Sequence, residues 1–242
     1  MDSLKGKVAV VTGGGSGVGQ ALAGALANEG MRIVVGDADI KAAEAAVADI
    51  TQLGARAIAS RVDIADRASV GALADLAFDE FGTVHVLCNC AREMVARPAA
   101  EMEDADWGRV ISVNLDGTIN VLTAFLPRLV AQGEEGHILS VSASTGLFAQ
   151  QNAVANATAD HAAMGLLAHL NTELQPLRIG VSVLCLSTAA GQDFEFVARL
   201  ALRGIKDNQL YVFSEPSTRP QVEARLAEIR AAYSSLIRSD TR

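Results

Sequence analysis

The sequence predicts an α/β fold in which a doubly wound parallel sheet is covered by helices on both faces. Three observations predict it. Short continuous apolar runs, such as Val8-Ala9-Val10-Val11, have the pattern of strands buried on both sides. Longer stretches rich in Ala and Leu alternate with them, and a sustained βαβ rhythm implies a parallel sheet. Half of the 242 residues are hydrophobic, which is ample for a large core.

The elements follow in order. Residues 8–11 form the first strand, and residues 12–19 after it are rich in glycine. Residues 20–29 read as the first helix, with Gly30 as its stop. A second strand covers 32–36, an Ala-rich helix 40–53, and Gly54 ends that helix. Strand 57–62 and helix 67–81 come next, then strand 84–88. Residues 104–130 read as one long helix, 138–141 as a fifth strand, 152–174 as a second long helix and 181–186 as a sixth strand. The expected strand order is 3-2-1-4-5-6, with room for a seventh, and such sheets bind ligands beyond the carboxyl ends of their strands. No linker, repeat or low-complexity stretch interrupts the chain, so one domain over 1–242 is expected.

Composition excludes several functions. Twenty Lys and Arg against 28 Asp and Glu give a net charge of −8, which disfavours nucleic acid and anionic membranes as partners. Aromatic residues make up only 4%, too few for a base-stacking surface. No long uninterrupted apolar run is present, so no membrane span is expected. The chain runs directly into its first strand without a signal-peptide pattern. Cys88, Cys90 and Cys185 lack metal-ligand spacing and read as buried thiols, which points to a reducing cytoplasm and to no metal.

Thr12-Gly13-Gly14-Gly15-Ser16-Gly17-Val18-Gly19 fits T-G-x-x-x-G-x-G between a strand and a helix. Glycines there let the backbone approach a pyrophosphate, and the helix N-terminus favours its charge. Gly13, Ser16, Gly17, Val18 and Gly19 are the phosphate-side candidates. Asp37 closes the second strand, where an acid bonds the adenosine ribose and disfavours a 2′-phosphate, so NAD is favoured over NADP. Asp63 and Ile64, after the third strand, are candidates for bonding and packing on adenine.

These residues, in this order, resemble the short-chain dehydrogenase/reductase family from Lys7 to about Ala190, which implies a single Rossmann-type domain and an NAD site. Asn89, in Asn89-Cys90-Ala91-Arg92, corresponds to the first asparagine of the family's N-N-A-G. Asn114 matches its catalytic helix asparagine, and 136–142 match the strand before its catalytic serine. Residues 208–213, Pro216 and a helix over 221–233 resemble dehydrogenases of lignin-derived aromatic alcohols. The family assembles through its two long helices, which implies a homodimer or homotetramer through 104–130 and 152–174.

The departures bear on function. The family uses Y-x-x-x-K as its proton relay, and no such motif occurs here: Tyr211 and Tyr233 are followed four residues on by Glu215 and Ile237. Registered on Gly146, the tyrosine position falls on Asn156, the lysine position on Asp160 and the serine position on Ala143. Thr188-Ala189 replaces the family's P-G, and only residues 191–207 lie where relatives carry a substrate lid. A positioned acid/base contributes ~10²–10⁴-fold, so standard alcohol–ketone hydride transfer should be nearly abolished. Three readings stand. The first is a non-redox acid/base enzyme of lyase, decarboxylase or isomerase type on a small aromatic substrate, with Asn114, Asn156, Asp160 and Glu93 as its site. The second is a catalytically silent NAD-binding subunit. The third is an atypical NAD-dependent dehydrogenase. Arg92 either blocks the nicotinamide end or binds a substrate carboxylate, Cys90 is a candidate thiol, and His161 reads as a packing histidine.

Overall fold

The computed structural model describes residue 1, residues 3–187 and residues 191–239. Seven parallel strands form one sheet: β1 Val8–Thr12, β2 Arg32–Asp37, β3 Ala57–Arg61, β4 Val86–Asn89, β5 Gly136–Ala143, β6 Ile179–Leu186 and β7 Tyr211–Phe213. Their order is β3-β2-β1-β4-β5-β6-β7, so the expected order holds and the seventh strand extends it. The helices are α1 Gly17–Asn28, α2 Ile40–Gln52, α3 Arg67–Phe81, α4 Asp104–Ile111, α5 Gly117–Ala131, α6 Val154–Leu174, α7 Phe194–Asp207 and α8 Arg219–Ser239.

Strand periodicity sends alternate residues to opposite faces. Val11, Ile33, Val35, Cys88 and Leu139 meet α1, α2 and α7 on one side. Val10, Val34, Leu87, Ile138 and Val181 meet α3, α5 and α6 on the other. The central strands β1, β2 and β4 are buried on both sides, which is why they read as near-continuous apolar runs.

Three of the differences from the sequence reading have a local reason. Strand β4 starts at Val86 rather than 84, because the His85 imidazole takes a ladder position: its Nδ1 accepts from the Val8 N–H at 3.1 Å. The helix expected over 104–130 is interrupted by a π turn at Ser112–Asp116. That turn separates Val110, packed on Ala155 and Ala159 of α6, from Val121 and Phe125, which face the sheet. Asp104–Ala131 is the one stretch among the described residues long and apolar enough to cross a membrane by length and composition. Core packing of Val121, Phe125 and Leu129 accounts for its apolarity. Lastly, the short segment after β6 contains a helix. Asp193 caps it by accepting from the Phe196 N–H at 3.0 Å, and Val197, Ala198, Ala201 and Ile205 bury its inner face. Thr188 and Ala189 lie outside the described residues.

His137, at the start of β5, is 1% exposed. Its Nε2–H donates to the Ser182 hydroxyl at 2.8 Å, and that hydroxyl donates to the Gln209 carbonyl at 2.6 Å. Burial, then repulsion from the N-terminal amine, pushes its pKa from 6.5 down to about 3. The unfolded chain therefore takes up a proton near pH 6.5 that the native state refuses until about pH 3. Stability falls as pH drops through that interval, by about 1.4 kcal/mol per pH unit for one proton. Chemical denaturation between pH 7 and 4 should show this slope, and His137→Gln should flatten it. An unchanged slope in the variant would place the acid sensitivity elsewhere.

Candidate functional site

The carboxyl ends of the central strands open into a cleft of about 710 Å³. One wall is the glycine loop. Gly13 has φ +62°, and a Cβ there would lie 2.6 Å from the Ala91 nitrogen, so only glycine lets the loop run this close to the segment after β4. The Gly15 N–H donates to Asp37 Oδ2 at 2.9 Å and the Asp39 N–H to Oδ1 at 3.0 Å, which fixes the carboxylate at the cleft edge. Ser16 starts α1 without a side-chain cap, and the first turn carries no acid. The first N–H groups of that helix are thus left for an anion. Asp63 and Ile64 also line the cleft. The Ala65 N–H donates to Asp63 Oδ1 at 2.9 Å.

At the inner end stands Arg92. Its Nη1 donates to Asp160 Oδ1 at 2.7 Å and its Nη2 to Oδ2 at 3.2 Å, with a longer bond from Nη1 to the Val141 carbonyl at 3.3 Å. Asp160 is 1% exposed and Arg92 is also largely buried. The carboxylate accepts three further bonds, from Ser142 Oγ at 2.9 Å, Thr145 Oγ1 at 3.0 Å and the Ala143 N–H at 3.3 Å. Five donors saturate it. It is the anchor of a bidentate guanidinium rather than an open carboxylate facing the cleft.

The two asparagines anchor the residues that follow. Asn114 Oδ1 accepts from the Glu93 N–H at 2.8 Å and its Nδ2 donates to the Glu93 carbonyl at 2.9 Å. Asn156 Oδ1 accepts from the Val95 N–H at 3.1 Å, and its Nδ2 donates to the same Glu93 carbonyl at 2.9 Å. Asn114, Asn156 and Asp160 therefore act together on the strap of residues 92–95, from behind it. Beyond the strap, Arg97 pairs with Asp106 at 2.7 Å.

The sequence candidates Gly13, Ser16, Gly17, Val18, Gly19, Asp37, Asp63, Ile64 and Glu93 all line the cleft. Asn89 does not. It accepts from Thr12 Oγ1 at 2.7 Å and donates to Thr118 Oγ1 at 3.0 Å, tying the end of β1 to α5. Ala143 and Val141 line the cleft, whereas Ser142 points away to Asp160. Cys90 also lines it, but burial pushes its thiol up to about 12, which keeps it protonated and poorly nucleophilic. His161 bonds the Ala157 carbonyl at 2.8 Å and Arg225 at 2.7 Å, a packing role. Sequence reasoning missed Met94, Leu186 and Phe194 as cleft residues. For Phe194 a signal existed, since Asp193 precedes apolar positions spaced 3–4 apart.

Comparison with known proteins agrees with this geometry. A family model described as short chain dehydrogenase matches residues 7–193. The C alpha-dehydrogenase of Sphingobium sp. is 36% identical over 186 residues, covering 76% of this chain and 60% of that protein. The crystal structure of the LigD apo form from Sphingobium sp. strain SYK-6 superposes with a TM-score of 0.91 at 33% identity, over 95% of this chain and 98% of that one. A short chain dehydrogenase/reductase from Burkholderia phymatum, solved in complex with NAD, gives 0.90 at 28% identity over 96% and 97% of the two chains. The uncapped helix end, the Gly13 passage and Asp37 suit a dinucleotide, with the pyrophosphate at α1 and a ribose beside the acid. The chain is therefore fitted to a nicotinamide cofactor. These relatives correct one expectation. They are named dehydrogenases, so redox chemistry replaces the lyase, decarboxylase or isomerase read from the missing tyrosine.

Removing Arg92 alone leaves the buried Asp160 without its cation. Arg92→Met should cost roughly 3 kcal/mol or more of unfolding free energy. Adding Asp160→Asn should recover over half of that loss, because the uncompensated charge is gone. Urea denaturation of the three variants and the parent measures both. Additive losses would show that the pair is not the unit described.

Proposed function

The chain belongs to the short chain dehydrogenase family, and we propose that it is an atypical NAD-dependent oxidoreductase that works without a tyrosine–lysine relay. The observation that carries this reading is Arg92, held by Asp160 at the inner end of an otherwise complete dinucleotide cleft. When bound, the cofactor supplies or accepts a hydride at its nicotinamide ring. The chain supplies electrostatics. The guanidinium stays protonated. Its Nη groups are engaged by Asp160, Val141 and Met94 Sδ, so it would offer its Nε–H, and a positive charge partly offset by Asp160, to the oxygen of a carbonyl substrate as that oxygen becomes an alkoxide. It takes up no proton, so the proton that completes the alcohol comes from water. Asp160 is a positioning residue here, and Asn114 and Asn156 hold the strap that carries Arg92. Met94, Val141, Ala143 and Leu186 give the inner end apolar walls, which suits a small, largely apolar carbonyl compound.

Asp37 supports NAD over NADP, since a 2′-phosphate would meet its carboxylate. One domain over 1–242 and a cytoplasmic setting fit the single sheet and the free thiols of Cys88, Cys90 and Cys185. Assembly through the long helices is supported by an apolar groove of about 540 Å³ that includes Ile119 and Leu126 of α5 and Leu166 of α6. A second reading, an NAD-binding subunit without turnover, is favoured by one observation: both asparagine amides are spent on the main chain of residues 93 and 95.

Two measurements test the proposal. Calorimetry should find NAD bound ten-fold or more tighter than NADP, and Asp37→Ser should remove most of that preference. Equal affinities in the parent would sink the role of Asp37. With a panel of aliphatic and aromatic aldehydes and ketones, NADH should be consumed in step with alcohol formed. Arg92→Gln should lower kcat on the order of 10²-fold with NADH affinity kept. Full rate in that variant contradicts the role of Arg92, and no turnover in the parent favours the silent subunit.

A further inference from the structure

Helix α8 leaves its apolar face in solvent. Every described residue from 226 to 234 is exposed. Leu226, Ile229 and Tyr233 are 47%, 46% and 69% exposed, and with Val222 they recur at spacings of four, three and four. That is the spacing of seam positions in a two-helix pair, here over about a heptad and a half. A helix of this length gains most of its stability in a protein from packing one face.

We infer that the α8 helices of two copies of this chain pair antiparallel across a two-fold axis. The stripe is self-complementary in that direction. Val222 falls opposite Tyr233 of the second copy and Leu226 opposite Ile229, in pairs that share one midpoint between residues 227 and 228. Opposing the two kinds of seam position in this way is how antiparallel seams mesh. The flanks agree. On one side Glu223 falls beside Arg230 of the second copy, twice by symmetry, while Arg225 on the other side falls beside Ala232. A parallel pair in register would set Arg225 against Arg230 of the second copy, a like-charge contact. Arg225 is anchored by His161 Nε2 at 2.7 Å, which roots the helix beside α6. Among the described residues Glu223 pairs with Arg219 of its own helix at 2.6 Å, an exposed i,i+4 pair of small worth that yields to the new partner. The contact is isologous, so it closes as a dimer rather than a fibre. It is separate from the α5–α6 groove and does not depend on the proposed catalysis.

Sedimentation of the full chain tests it, with melting temperature and NAD binding as controls for folding. Leu226→Glu with Ile229→Glu should weaken self-association ten-fold or more and halve the assembled mass, with folding kept because both side chains are exposed. Glu223→Arg alone and Arg230→Glu alone should each weaken association about three-fold or more at low salt. The double reversal Glu223→Arg/Arg230→Glu should restore it. A parent that is monomeric at micromolar concentration overturns the inference. So does an unchanged mass in Leu226→Glu/Ile229→Glu, and so does a double reversal that fails to restore association. Leu166→Glu serves as the comparison: it should leave an α8-paired dimer, and a monomer in that variant at micromolar concentration overturns the pairing of α8.

Discussion

A carboxylate as buried as that of Asp160 is tolerated only where donors surround it. Here the donors come from separate stretches of chain: Arg92 after β4, and Ser142, Ala143 and Thr145 at the end of β5. Meeting that demand fixes the inner end of the cleft. Arg92 must turn back toward α6, so the strap of residues 92–95 lies across that helix. Its main chain is then close enough for Asn114 and Asn156 to bond Glu93 and Val95. The π turn at Ser112–Asp116 belongs to the same arrangement. It carries Asn114, whose carbonyl accepts from Thr118 at 2.8 Å, and Thr118 accepts from Asn89. One buried ion pair thus links the ends of β4 and β5, the strap and both long helical segments.

The outer half of the cleft follows a different rule. It depends on close backbone approach and on an uncapped helix end, and glycines with Asp37 supply both. The two halves are therefore separable. The dinucleotide half rests on the glycine loop and Asp37, while in the proposed reading the substrate half relies on Arg92 rather than on a tyrosine–lysine relay. Charge stabilisation of a developing alkoxide needs a donor at the oxygen and does not need that donor to lose its proton.

The legible parts of this structure are those set by local pattern. The apolar runs, the glycine loop and Asp37 stand where their spacing put them, as does the strand order. The illegible parts are set by partners far along the chain. Arg92 and Asp160 are 68 residues apart, and nothing near either names the other. Read alone, Asp160 looked like a general base, and only its saturation by five donors shows the anchoring role. His85 shortened β4 through a side chain that stands in for a backbone acceptor. The π turn is invisible to a 3.6-residue period. Helix α7 is legible in principle through Asp193 and the apolar spacing after it, although the shortness of 191–207 points away from it.

The central claim is that this cleft moves a hydride with Arg92 in place of a tyrosine. Carbon-bound hydrogen is the direct witness. With NADH deuterated at the transferred position of its nicotinamide ring and a panel of small apolar carbonyl compounds, mass spectrometry should find one deuterium on the carbinol carbon of each alcohol molecule formed, matched by one NAD. NADH that binds with no deuterium in any product, or alcohol that forms without deuterium, contradicts the account.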